Sequence, residues 1–310
     1  MNASAILSLG QTALELGLIS SLTVLALFLS YSMLNVCDLS TDGCFTLGAA
    51  VGGVVALAGH PFLSIPAAMG AGMLSGLLTA VLQTRMGVES LLAGIIVNTG
   101  LYSVNIAIMG NSSLLNLNKS PTVFSLLKGA LKGTPFADQY RLIVALIAVA
   151  AVIAFLSLFL KTRLGLAIRA TGNNPDMVRS SSINPVFTTT VGLVISNSFT
   201  ALSGCLLAQQ QKSVNVTIGS GMLTVALASL LIGGVFVGKR SIPLRAVGAV
   251  LGAFVFRLVY TIALRFDMPA SMLKAVSSVI VIIAISGPYM KRQWPLFKRR
   301  MEAKRGKAGG

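Results

Sequence analysis

Amide and phenol side chains stand at helical spacing inside apolar segments of this chain, where they can form hydrogen bonds with a polar solute. Asn98, Tyr102 and Asn105 follow one another at steps of four and three residues, which places all three on one face of a helix. An amide cannot be left unpaired in hydrocarbon. This face therefore meets either another helix or a wet solute path, and Asn197, in a later apolar segment, leaves the same two alternatives open.

Arg257 is a further candidate for the solute path, because it lies well inside an apolar segment. A cation at the centre of a membrane helix costs about 2.5–3.5 kcal/mol on insertion scales. Its side chain must therefore face protein or water. Contact with a solute carboxylate is one alternative, and an internal salt bridge or a side chain that reaches the membrane surface is the other.

A polar segment at 164–185, LGLAIRATGNNPDMVRSSSINP, has the residues that start a helix. Asn174 suits the N-cap, Pro175 the first helical position, and Asp176 the positive end of a helix. These three predict a helix of about two turns over 174–182, ended by Asn184-Pro185. So short a helix is unstable alone. We therefore expect it to lean either on the loops of its own chain or on another protein.

The composition indicates a helical membrane protein that must position these residues. Of the chain, 55% is hydrophobic and only 10% is charged, whereas a soluble protein carries about a quarter charged residues. Apolar segments that approach the length of a membrane span lie at 17–34, 44–58, 63–82, 91–109, 142–160, 187–207, 222–237, 246–264 and 275–285. The sequence thus predicts an all-α, polytopic integral membrane bundle of about nine spans, within a range of eight to ten. The short ones, such as 44–58, are typical of broken helices near a transport site.

The distribution of cations predicts the orientation. No Lys or Arg occurs between Met1 and Thr84, and positive residues are retained on the cytoplasmic side. With nine spans and the N-terminus outside, 16 of the 24 Lys and Arg residues fall inside, and the reverse orientation places those 16 outside. We therefore expect a transmembrane domain over 1–290, with an outer loop at 110–140 and a cytoplasmic loop at 161–186, and a basic cytoplasmic tail over 291–310. The net charge of +16 indicates contact with anionic lipid heads rather than nucleic acid.

Catalytic motifs give little support to an enzyme. The segment 233–240, GGVFVGKR, nearly matches the phosphate loop, but Arg240 stands where the hydroxyl that holds magnesium is needed. The three cysteines and one histidine form no ligand pattern, so we expect neither a metal nor a cofactor on this chain. Glycine pairs four residues apart, Gly48/Gly52 and Gly72/Gly76, predict close helix packing within one subunit. The amphipathic stretch 120–133 is predicted to lie on the bilayer surface, with contact to a binding protein as the alternative.

Several stretches carry a resemblance to a known family. Gly165-x-x-x-Arg169-Ala170-x-Gly172-x-Asn174-Pro175 resembles the cytoplasmic coupling loop of bacterial ABC-importer permeases, in the subgroup that serves branched-chain amino acids, ribose and related solutes. The stretch 35–49 is similar to the start of that family's second span. The stretch 92–110 resembles a subset for amino-acid or tryptophan-like uptake. The resemblance extends over roughly 15–290.

The resemblance implies a division of labour in the bacterial inner membrane. Two permease copies, as a homodimer, would form the pore, and separate ATPase subunits would bind and hydrolyse ATP. An extracytoplasmic binding protein would deliver the solute, an aromatic or branched-chain amino acid ahead of a pentose. The coupling residues implied are Arg169, Gly172, Asn174, Pro175, Asp176, Met177, Val178 and Arg179. Replacement of Gly172 or Asp176, or a bulky residue at Val178, is expected to uncouple ATP hydrolysis from uptake.

Two other classes compete with this interpretation. An ATP-independent secondary transporter or channel would need ligands for a coupling ion within the spans, and the chain has only eight acidic residues in total. A membrane-structural or assembly subunit would tolerate changes at Asn98, Asn105 and Arg257. An adjacent reading frame that encodes an ATPase would discriminate the importer from both.

Overall fold

The computed structural model describes residues 3–118, 120–130, 139–238, 241–265, 275, 278–282 and 286. The helices are α1 (Ala3–Leu27), a π-helix (Phe28–Met33), α2 (Thr41–Leu57), α3 (Ser64–Thr84), α4 (Ser90–Ile108), α5 (Val123–Ala130), α6 (Tyr140–Phe159), α7 (Arg163–Asn173), α8 (Pro175–Ser180), α9 (Pro185–Gln211), α10 (Met222–Val237) and α11 (Ile242–Arg265). Two short strands, β1 (Leu114–Asn116) and β2 (Ser213–Asn215), pair antiparallel.

The described chain is a helical membrane bundle, as the composition predicted. Six helices are long and apolar enough to cross a membrane: α1 with the π-helix, α3, α4, α6, α9 and α11. The helices α2 and α10 are apolar but shorter. The nine-span count and the orientation of the termini stay predictions. Residues 276–277 and 283–285 of the predicted last span, and all of the tail at 291–310, lie outside the described residues.

The centre of the bundle is α9, whose small residues admit three other helices at close range. Gly48 of α2 approaches the Ala201 carbonyl, and Gly72 of α3 approaches the backbone at Asn197, so that a methyl group on either glycine would collide with α9. The Ser203 hydroxyl donates to the Ile19 carbonyl of α1 at 2.7 Å. The predicted use of glycine pairs for packing within one chain is confirmed.

The second helix, α2, has 17 residues and is shorter than the long spans. Its Gly48 and Gly52 lie against Ala201 and Cys205 of α9 in the same order, so the two helices are parallel. Because Cys44 already contacts the Asn197 carbonyl near the middle of α9, α2 begins inside the bundle. The chain reaches this point through the non-helical residues 34–40, in which Asn35 has a φ of 58°.

The short helix α10 runs in the direction opposite to α2 and begins against the first turn of α2. Gly252 and Gly248 of α11 pack on Ser229 and Gly233 of α10, which fixes an antiparallel pair. A long helix followed by a short one thus occurs twice, in α1–α2 and in α9–α10, with inverted directions. Transporters built from inverted repeats place their sites where such broken helices meet.

One end of the bundle carries α7 and α8, and we call it the α8 face. The sequence analysis does not predict α7, since it gives 164–185 as a polar segment with a helix only over 174–182. Thr162 caps it by accepting from the Gly165 amide at 3.2 Å, and the buried Ile168 seats it on the core. Gly165 allows its backbone to rest directly on that of Leu160.

The opposite end carries the two-stranded sheet and α5. The bilayer-surface prediction for 120–133 is wrong at the start of the segment, where Val123 and Phe124 are buried in the protein. The Val123 amide donates to Gln209 Oε1 at 2.9 Å and fixes α5 to the end of α9. Residues 131–133 lie outside the described part of the chain.

Candidate solute path and coupling helix

A polar cavity of about 400 Å³ lies where α4 meets the starts of α2 and α10. The predicted polar face of α4 lines it with Asn98, Tyr102 and Asn105. The remaining wall is supplied by Asp42 and Thr46 of α2 and by the segment before α10, including Thr217 and Ser220. Residues more than a hundred positions apart in the sequence therefore form one polar surface beside the broken helices.

Asn105 contacts another helix, which is one of the two alternatives that its spacing left open. Its side chain is 1% exposed, and Nδ2 donates to the Gly43 carbonyl of α2 at 3.2 Å. Its Oδ1 atom is buried and has no hydrogen-bond partner within the described residues. The amide therefore joins two helices through its donor, beside the cavity.

Asp42 is the only charged residue among those that line the cavity. Its two carboxylate oxygens accept from the Gly221 and Leu223 amides, each at 2.8 Å. These amides belong to the start of α10, where backbone N–H groups are otherwise unpaired and the helix dipole is positive. The carboxylate thus joins the first turn of α2 to the first turn of α10.

Asn197 and Arg257 do not line this cavity. Asn197 is buried, and its Nδ2 atom donates to Asp38 Oδ2 at 2.7 Å, which fixes the residues that precede α2. Arg257 lies between α11 and α1, where its Nε atom donates to Ser20 Oγ at 3.4 Å. Its guanidinium also stands 5.7 Å from the centre of the Tyr260 ring.

The helix α8 has the cap that its sequence predicted. Asn174 Oδ1 accepts from the backbone amides of Asp176 and Met177, both at 3.1 Å, and Pro175 is the first helical residue. Val178 is 2% exposed, whereas Met177 is 64% exposed. Val178 is thus the one buried side chain that holds α8 against the protein, and the other residues of this helix are exposed.

The end of α8 differs from the prediction, which extended the helix to residue 182. The helix stops at Ser180 because Ser182 adopts a left-handed conformation with a φ of 60°. The Ile183 amide then donates back to the Val178 carbonyl at 3.2 Å. Asn184 and Pro185 start α9 instead of ending α8, and Asn184 Oδ1 accepts from the Val186 amide at 2.9 Å.

The helix α7 connects α8 to the broken helix of the cavity. Gly172 packs against the backbone of Met33 and Leu34, at the end of the π-helix. The π-helix ends at Met33, only a few residues before Asp38 and α2. A short run of backbone thus links the α8 face to the start of α2.

Comparison with known proteins identifies the family. The model of the family described as the branched-chain amino acid transport system permease component matches residues 11–285. The chain belongs to this permease family. The resemblance of the chain to such permeases is confirmed, and its six apolar helices agree with a multi-pass membrane protein.

Curated relatives agree with this assignment. The permease is 31% identical to the tyrosine transport system permease protein of Clostridioides difficile, over 86% of each chain. It is 30% identical to an uncharacterized protein of Rickettsia prowazekii, over 89% of this chain and 96% of that protein. It is 26% identical to the probable branched-chain amino acid transport permease protein LivH of Methanocaldococcus jannaschii, over 87% of this chain and 77% of that protein. No solved structure matches the chain.

Sequence reasoning missed the residues that α2 and the segment before α10 give to the permease's cavity, and Asp42 is the charged one among them. An acid in the first turn of a short apolar helix was the available signal, because an ionisable residue at membrane depth is by default a functional candidate. The near match to a phosphate loop has a packing explanation for its first glycine, since Gly233 lies within α10 against the Gly248 carbonyl. Lys239 and Arg240, which complete that match, lie outside the described residues.

Proposed function

We propose that the permease is the pore subunit of an ATP-driven ABC importer for an amino acid, with aromatic and branched-chain amino acids as the leading solutes. The family description supports transport, and two relatives are named for tyrosine and branched-chain amino acids. The observation that carries the coupling part of the proposal is α8, a capped six-residue helix held by one buried side chain. A helix so short and so exposed is unstable by itself and suits a surface that a partner grips.

The partner at α8 is a separate ATPase subunit, which binds and hydrolyses the ATP. The α8 face is then cytoplasmic, in agreement with the predicted retention of cations on that side. Closure of the ATPases moves α8 and α7 together. Because Gly172 rests on the end of the π-helix, this motion reaches the residues that precede α2.

The cavity at the starts of α2 and α10 is the solute path. On α4, Tyr102 gives it an exposed polar group and Asn98 a half-buried one, next to the buried amide of Asn105. A polar face cannot be turned to lipid. A second copy of the permease covers it, so that the path runs between the two subunits of a homodimer, and an extracytoplasmic binding protein delivers the solute from the opposite side.

Reconstitution in liposomes tests the proposal. The permease, its neighbouring ATPase subunits and the binding protein are combined, and uptake of radiolabelled tyrosine and leucine is measured with ATP or with a non-hydrolysable analogue. We expect uptake only with hydrolysable ATP. Uptake by the permease alone along an ion gradient would instead identify a secondary transporter and contradict the proposal.

A pair of variants at α8 separates coupling from folding. Val178→Trp enlarges the one side chain that seats α8, and we expect ATP hydrolysis to continue while uptake falls. Ser180→Ala, at the exposed end of the same helix, is the matched control and should transport normally. Equal uptake by the two variants would remove the coupling role of α8.

A further inference from the structure

The α8 face carries an open groove that the transport proposal does not use. It has a volume of about 330 Å³ and lies between the π-helix, α10 and α11. Its walls are apolar and include Phe28, Leu231 and Val235. Beside it, Phe236 is 64% exposed and Leu244 is 46% exposed. The groove therefore opens on a hydrophobic surface that faces lipid rather than water.

Arg245 stands at the rim of this groove with most of its donors free. Its Nη2 atom donates to Ser32 Oγ at 2.8 Å, and its guanidinium lies 5.5 Å from the centre of the Phe28 ring. Among the described residues these are its side-chain contacts, and no carboxylate pairs with it. A guanidinium carries five N–H donors. Arg245 therefore has a fixed orientation beside the groove and, among the described residues, donors that are not used.

A second cation increases the positive charge at the same place. Arg169 of α7 is half-buried and lies close enough for its charge to act on Arg245. Within the described part of the chain Arg169 forms no ion pair, and the two recorded ion pairs involve other residues. Two neighbouring like charges of this kind repel each other and are stabilised when an anion is placed between them.

The depth of the groove agrees with a membrane boundary. Ser32 is next to the last residue of the apolar stretch Gly10–Met33, and Arg245 is in the first turn of the apolar stretch Ile242–Ala263. The cations thus stand where a span meets water, and the apolar walls extend from there into the bundle. An anionic head group and an acyl chain have the same arrangement of charge and hydrocarbon.

We infer that this groove binds one anionic phospholipid of the leaflet on the α8 face. The phosphate accepts hydrogen bonds from Arg245 and is attracted by Arg169, and an acyl chain lies against Phe28, Leu231 and Val235. Bidentate contact suits a guanidinium and a phosphate. An acidic protein surface would satisfy the arginines but would leave the apolar walls uncovered.

Native mass spectrometry of the full-length permease, released from detergent, tests this site. The probes are phosphatidylglycerol, zwitterionic phosphatidylcholine and inorganic phosphate. We expect one phosphatidylglycerol to be retained, and neither phosphatidylcholine nor phosphate to be held comparably. Equal retention of both lipids would show general adhesion, and retention of phosphate as strong as that of phosphatidylglycerol would show an anion site without an acyl groove. Either result overturns the proposal.

Matched variants locate the lipid. Arg245→Gln should weaken the retention of phosphatidylglycerol by about tenfold, as expected for the loss of a charge-assisted hydrogen bond. Arg163→Gln, at an exposed cation of α7, should leave it unchanged. Equal retention by the two variants would contradict the assignment.

Filling the groove gives a second test that does not alter charge. Gly234 lines the groove, and a Cβ atom added there has no neighbouring atom within 4 Å, so Gly234→Phe should fold and displace the acyl chain. Gly70→Phe, at a similarly open position on α3, is the control and should retain the lipid. If Gly234→Phe keeps the lipid, the groove is not a lipid site. If the variant converts dimers to monomers without a change in bound lipid, the groove is instead a contact with another copy of the permease.

Discussion

At the scale of single residues, Asp42 joins the two short helices on which the cavity depends. Its carboxylate accepts hydrogen bonds from the Gly221 and Leu223 amides at the start of α10. No other side chain among the described residues caps these two amides. Loss of a side chain that caps the start of a helix costs about 0.5–2 kcal/mol. Asp42 therefore has a structural role in addition to its place in the wall of the cavity.

We predict that Asp42→Ala lowers the stability of the purified permease by about 0.5–2 kcal/mol, and that Asp42→Asn, which keeps one acceptor oxygen, lowers it less. The measurement is the midpoint of thermal unfolding in detergent. Asp176→Ala is the control, because the Asp176–Arg179 ion pair is exposed and such pairs contribute little. A midpoint for Asp42→Ala equal to that of the control would contradict the capping role.

Asn98 allows the solute path to be tested apart from helix packing. It lines the cavity and forms no hydrogen bond within the described residues, whereas Asn105 bonds to Gly43. We predict that Asn98→Leu reduces uptake without a change in the thermal midpoint, and that Asn98→Gln restores part of it. Unchanged uptake by Asn98→Leu would assign the polar face of α4 to packing alone.

At the scale of elements, the contact between α7 and the π-helix is the joint through which motion must pass. Gly172 has no room for a side chain, because one would collide with the backbone of Met33 and Leu34. Packed elements move as units with discrete arrangements rather than deform continuously. A larger residue at this joint should separate α7 from the bundle while it leaves the spans intact.

We therefore predict that Gly172→Leu still inserts in the membrane but hydrolyses ATP with little uptake. Gly10→Leu, at a position of α1 with open space around it, should behave as the unmodified permease. Uptake and ATPase rate are measured on the same liposomes. Coupled uptake by Gly172→Leu at the normal ratio to ATP hydrolysis would show that the joint does not transmit the motion.

The elements themselves follow from local signals in the sequence. Apolar segments of the right length predicted α3, α4, α6 and α9 to within a few residues, and the Asn174-Pro175-Asp176 signal predicted the start of α8. The helix α7 was missed because its residues, RLGLAIRATGN, mix cations, glycines and apolar residues. Its stability comes from Thr162 and from the burial of Ile168, and only the second requires the folded chain.

At the scale of the whole molecule, the cavity could not be predicted from one sequence. The α4 face was predicted by its spacing, but Asp42 and Thr217 join it only because α2 begins midway along α9 and α10 begins against α2. The same packing turned Asn197 toward Asp38 and Arg257 toward Ser20, away from that cavity. Helix spacing shows which residues share a face and gives no information on the neighbour of that face.

The central claim is that α8 is a cytoplasmic helix gripped by an ATPase subunit. Met177→Cys and Met86→Cys place thiols at two exposed positions, 64% and 67% accessible, in a permease whose native Cys37, Cys44 and Cys205 are replaced by Ala. Labelling by a bulky, impermeant maleimide is measured in inverted and right-side-out vesicles, with and without the ATPase subunit. We predict that Met177→Cys is labelled only in inverted vesicles and that the ATPase reduces this labelling. Met86→Cys is the control for access of the reagent to the α8 face, and it should be labelled in the same vesicles. Labelling of Met177→Cys in right-side-out vesicles, or labelling that the ATPase does not reduce, would contradict the account.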